Sequence, residues 1–175
     1  KKEKFKVSTF PVPFSSLEIK DNFSISTNTK SKPSKEQIIN QAINFHSQGN
    51  ISEATKYYRY CINQGFNDHR VFSNYGVILK GIGELKEAKK YYQKAIQLKP
   101  SFPESYSNLG SILKDLGKLQ DAEVSTRKAI ELKPDFAEAH SNLGNILKDL
   151  GKLQDAEVST RKAIELKPDF ALAYL

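Results

Sequence analysis

The segment from Ser107 to Ala137 recurs 34 residues later, from Ser141 to Ala171, with one change: Ser111 becomes Asn145. A fixed period of roughly 20–50 residues specifies a stack of supersecondary units rather than one closed globule. Such a chain buries its core between neighbouring units and works through the surface the stack presents.

The frame runs backwards through the chain. With Ala137 as position one, earlier units begin at Pro103, His69 and Lys35. Position eight is then Ala42, Gly76, Gly110 and Gly144, and position fifteen is Gly49, Gly83, Gly117 and Gly151. Position twenty is Ala54, Ala88, Ala122 and Ala156, and position twenty-seven is Cys61, Ala95, Ala129 and Ala163. Four units are therefore expected at 35–68, 69–102, 103–136 and 137–170, called units one to four, with a fifth beginning at 171–175 and an irregular leader at 1–34.

Within a unit, Tyr106, Leu109, Leu113 and Leu116 form an apolar stripe at helical spacing. Gly117 ends that helix, because the left-handed residue after the last turn is cheapest as glycine. Leu119, Ala122, Ala129, Ile130 and Leu132 form a second stripe, and Pro134 cannot continue that helix. Small residues at positions eight and twenty let the two helices approach closely. Each unit is a helix–turn–helix whose apolar side the next unit completes, so the expected fold is an all-α solenoid.

These residues resemble the tetratricopeptide repeat family: Leu-Gly at 109–110 and 143–144, Gly117 and Gly151, Ala122 and Ala156, Ala129 and Ala163, Pro134 and Pro168. The resemblance implies a right-handed superhelix with first helices on its concave side. Departures are visible. The first-helix aromatic is Phe72 and Tyr106 but Ile38 and His140; the second-helix aromatic is Tyr58 and Tyr92 but Thr126 and Thr160. Unit one has Gln41-Ala42 instead of Leu-Gly and lacks the proline, as an atypical end cap would.

The exposed first-helix stripe is expected at positions two, five, six, nine, twelve and thirteen. Position six is Asn40, Asn74, Asn108 and Asn142; position five is Ile39, Ser73, Ser107 and Ser141. Position twelve is His46, Lys80, Lys114 and Lys148; position nine is Ile43, Val77, Ser111 and Asn145. An amide side chain offers donor and acceptor together, as a peptide backbone requires. A row of Asn can grip an extended peptide by its main chain, and the Lys row would favour acidic ligands. The alternative is that these Asn bond side chains of adjacent units. The Asn-Leu-Gly context also resembles the repeats of O-linked N-acetylglucosamine transferases, whose inner Asn ladder holds substrate polypeptides. That resemblance implies a peptide groove built on Asn74, Asn108 and Asn142, with Asn145, Ser107, Ser141, Lys80, Lys114 and Lys148 beside them.

The formal charge of +7 is uneven: the leader carries seven basic and three acidic residues, and unit two carries seven and two. The excess in Lys86, Lys89, Lys90 and Lys94 reads as a solvated outer face before it reads as a nucleic-acid site. No apolar run is long enough to span a membrane. Cys61 sits alone at a core position, and the lack of a disulfide framework points to a cytoplasmic protein. His46, His69 and His140 show no paired metal-ligand spacing, and the glycines keep the repeat period rather than forming a phosphate loop. No nucleophile–base set is identifiable, and no cofactor is expected. Asp115 and Asp149 read as surface partners of Lys118 and Lys152.

Two segments stand apart. The leader is basic and rich in Ser, Thr, Asn and Lys, but Phe10-Pro-Val-Pro-Phe14 is an extended apolar stretch of the kind that docks in grooves. Residues 171–175 begin a helix and stop, which leaves the end of unit four uncovered. The expectation is a segment of a longer protein, with more repeats or a transferase domain beyond, and self-association through the uncovered end. The function expected is a non-catalytic scaffold for a protein or peptide. Substrate recruitment within a larger glycosyltransferase or sulfotransferase, or a spacer without a ligand, are the alternatives.

Overall fold

The computed structural model describes residues 33–168. The expected leader with its Phe10–Phe14 stretch, and the residues expected to open a fifth unit, lie outside them. The described residues form eight helices: α1 Lys35–Ser47, α2 Ile51–Asn63, α3 His69–Gly81, α4 Leu85–Leu98, α5 Pro103–Asp115, α6 Leu119–Leu132, α7 Ala137–Asp149 and α8 Leu153–Leu166.

Local chemistry sets the ends. Ser34 opens α1 with a capping box: its hydroxyl accepts from the Gln37 amide at 3.2 Å, and the Gln37 side chain accepts from the Ser34 amide at 2.8 Å. Each first helix closes on the position-fifteen glycine. Gly117, at φ 72°, donates to the Lys114 carbonyl at 2.8 Å, and Lys118 donates to the Leu113 carbonyl at 2.8 Å. This paired closure satisfies carbonyls that the helix leaves open. Unit one lacks the proline after its second helix, and Gly65 replaces it: the same paired bonds run from Gly65 to Ile62 and from Phe66 to Cys61.

The two helices of a unit meet at positions eight and twenty. A Cβ on Gly76 would stand 2.8 Å from the Tyr92 ring, and one on Gly110 would collide with the Thr126 hydroxyl and lie 3.1 Å from the Ala122 carbonyl. Ala54, Ala88, Ala122, Ala95, Ala129 and Cys61 are fully buried. Burial pushes the Cys61 thiol up to about 11, as befits a core residue.

Units then stack through second-to-first contacts, α2 on α3, α4 on α5 and α6 on α7. Leu79, Tyr92, Leu109, Leu113, Ala122 and Ile146 form one cluster that runs through units two, three and four. First helices also approach one another, α1–α3, α3–α5 and α5–α7, whereas no two second helices come as close. The array therefore curves, with first helices on the inner side and second helices splayed outside. It is an all-α solenoid of stacked helix–turn–helix units.

Candidate inner-groove peptide site

The inner face presents position six along α1, α3, α5 and α7. Asn40 is exposed, and Asn74, Asn108 and Asn142 are half-buried. Asn74 lines a groove of about 330 Å³ with Ile43, His46 and Ser47. Asn74 also bonds the Tyr58 hydroxyl. Burial drives this phenol far above its ordinary range, and a hydrogen bond from Asn74 partly offsets the rise. The same hydroxyl lies 3.4 Å from His46 Nδ1, and burial lowers the pKa of His46. The ring is therefore neutral, with a lone pair or an N–H available to the groove.

Asn142 behaves differently. Its Nδ2 donates to the Ser107 hydroxyl of the preceding unit at 3.0 Å. That amide joins adjacent units and keeps its carbonyl oxygen for another partner.

Position five corrects the sequence reading. Ser107 is only 2% exposed and Ser73 only 3%, while Ser141 is half-buried. The cause is the contact between first helices, which covers the side facing the next unit. Ser107 lies beneath the groove, not in its lining.

The Lys row is also paired within the chain. Lys80 donates to the Ser111 hydroxyl and lies 3.5 Å from Asp115. Lys114 lies 4.0 Å from Asp115 and 3.7 Å from Asp149. Position-twelve cations thus bridge to position-thirteen carboxylates of the next unit. Lys118 and Lys152 were expected to pair with Asp115 and Asp149; Lys152 instead reaches Glu123 at 2.8 Å. A Lys at position twelve and an Asp thirty-five residues later was the signal for the true pairing. Screened pairs of this kind are worth at most about 1 kcal/mol each, and they mute the expected pull on acidic ligands. Lys148 is exposed and borders a second cleft with Asn145, Gly144 and Thr160. Asn145 therefore faces the end of unit four rather than the groove around Asn74.

Among the described residues, no group of three or more His, Cys, Asp and Glu is placed to hold a metal ion. No described helix is long and apolar enough to cross a membrane.

No curated protein is detectably similar to the chain. The solved structure of YrrB, described as a tetratricopeptide repeat protein with an unusual peptide-binding site, is 23% identical. It covers 81% of this chain and 73% of its own at a TM-score of 0.67. The first tetratricopeptide repeat domain of Spaghetti (RPAP3), solved with the HSP90 peptide SRMEEVD, is 27% identical over 58% of this chain and 80% of its own, with a TM-score of 0.56. An O-GlcNAc transferase variant of Thermobaculum terrenum is 21% identical over 65% of this chain but only 22% of its own, with a TM-score of 0.61. Family models for the tetratricopeptide repeat match residues 137–170, and 76–117 with 110–151, which together run from 76 to 170, more than half of the chain. With the period, the paired helices and these matches in agreement, the chain belongs to the tetratricopeptide repeat family.

Proposed function

We propose that this protein is a non-catalytic scaffold that holds an extended peptide of a partner protein along its inner face. The observation that carries this reading is the recurrence of Asn74, Asn108 and Asn142 at one register of mutually touching first helices, with Asn74 opening onto a groove beside Ile43 and His46. Amides at a constant rise offer a main chain both of the bonds it needs. Peptide binding by YrrB and by the Spaghetti domain supports the reading. A cytoplasmic setting suits the lone, buried Cys61.

The test is capture of partners from native lysate by the wild-type chain and by a triple variant, Asn74→Ala with Asn108→Ala and Asn142→Ala, whose helicity is first verified by circular dichroism. Loss of partners from the folded variant is expected. An unchanged set of partners assigns the Asn row to packing between units, as the bond from Asn142 to Ser107 already does in part.

A second reading has one observation in its favour, the similarity to an O-GlcNAc transferase of which the matched region is a small share. In it the same groove recruits substrate polypeptides for a transferase domain.

A further inference from the structure

On the outer side of the array, three positions change character from unit to unit. At positions four, seven and twenty-three, unit two carries Phe72, Tyr75 and Tyr91. Their rings fill the space between consecutive second helices: Tyr91 stacks on Phe72 at 6.0 Å between centroids and meets Tyr75 edge-on at 5.1 Å. Arg59, at position twenty-five of the preceding unit, acts electrostatically on both Tyr75 and Tyr91. Unit three keeps one ring, Tyr106, with Leu109 and Ser125. A cleft of about 290 Å³ lies there against Leu109, Val124 and Ser125. Unit four keeps none of the three, having His140, Leu143 and Ser159. The His140 ring borders the space and bonds the Pro134 carbonyl at 2.8 Å. A carbonyl only accepts, so Nε2 carries the proton. The cleft widens to about 580 Å³, lined by Ile130, Leu143, Val158, Ser159 and His140, with Arg127 and four further charged side chains of α6 and α8 around them.

We propose that this outer cleft of unit four is a docking pocket for an aromatic side chain, tyrosine or phenylalanine, carried on a peptide segment of a partner protein. The occupant is read from the array itself. The same location in unit two is filled by the chain's own Tyr91, and loss of that ring at Ser159 leaves the volume and the walls. Leu143 is 4% exposed and forms an apolar floor, while Val158 is 69% exposed and forms an apolar wall open to a ligand. Arg127 occupies position twenty-five, as Arg59 does beside Tyr91, and Glu123 holds its guanidinium at 3.0 Å. An anchored cation at the rim favours the negative face of an aromatic ring over an aliphatic side chain of similar size. The pocket lies on the opposite side of the array from the Asn row, so it stands independently of the inner-groove reading.

The test uses two capped peptides, Gly-Gly-Tyr-Gly-Gly and Gly-Gly-Leu-Gly-Gly, titrated to millimolar concentration into the full chain. Amide shifts are followed by two-dimensional NMR. The tyrosine peptide is expected to move Arg127, Leu143, Val158 and Ser159 saturably, and the leucine peptide to leave them in place. In Ser159→Tyr the pocket is filled from within: binding is lost, and the thermal midpoint rises as unit two's ring cluster is restored. Equal shifts with both peptides, or none with either, overturn the proposal. So does a folded Ser159→Tyr protein that still binds the tyrosine peptide.

Discussion

At Gly110 a methyl group would collide with the Thr126 hydroxyl, whereas at Gly81 it would meet nothing within 4 Å. Gly110→Ala should therefore lower stability by about 1–3 kcal/mol through overpacking. Gly81→Ala should raise it by about 0.4–1 kcal/mol by restricting the unfolded chain. Urea denaturation of the two variants checks both signs. Position eight was legible in the sequence because a small residue recurs there. Position five was not, because Ser73 and Ser107 are hidden by a neighbouring first helix that one unit's periodicity does not reveal. Charge state adds a second prediction at this scale. Burial lowers the pKa of His46, and burial followed by Lys99 lowers that of His69. A depressed pKa means the unfolded chain takes up the proton first, so this stability is present above the ordinary histidine value and is lost as pH falls. Thermal midpoints should hold above about pH 7 and decline from about pH 6.5 towards pH 5, less steeply in His46→Gln. Glu36, Asp68 and Glu123 also have lowered pKa values, and their loss follows at more acidic pH.

Helices in this array differ more at their starts than at their ends. Ser34, Asn50 and Asp68 each accept a bond from the first turn of α1, α2 and α3, and no side chain does so for α4 to α8. Asn50 and Lys118 occupy the same repeat position with similar backbone, φ −79° and ψ 72° against φ −91° and ψ 64°. Lys118→Asn should therefore gain the cap that Asn50 makes to Glu53 at 3.3 Å. The expected gain is about 0.5–1 kcal/mol, and differential scanning calorimetry would show it; an unchanged midpoint would mean that the backbone at Lys118 does not let Asn reach Asp121. Helix ends were legible because glycine at position fifteen has a single conformational reason to recur. The Lys row's partners were not: a Lys three residues from an Asp suggested a local pair, and the curvature that brings Lys114 to Asp149 belongs to no single helix. The outer cleft was missed for a related reason. It exists only as a difference between units, in rings that unit four lacks.

Curvature and stacking make the whole molecule a chain of nearest-neighbour interfaces. Unit one is joined to unit two by Arg70, which reaches both oxygens of Glu36 at 2.9 Å while bonding Asp68. Unit four is joined to unit three by Ile146, fully buried in the cluster with Leu113 and Ala122. In a closed globule, a cavity at such a residue destabilises everything together. Here the loss should stay local, since each unit rests on its neighbours alone. Ile146→Ala should cost about 2–4 kcal/mol at the interface between units three and four. Native-state hydrogen exchange should then show α7 and α8 losing protection at low urea, with α1 to α4 nearly unchanged. A uniform loss from α1 to α8 would mean that the array unfolds as one cooperative body. Its inner groove and outer cleft would then share a single stability, and changes at one end could be felt at the other.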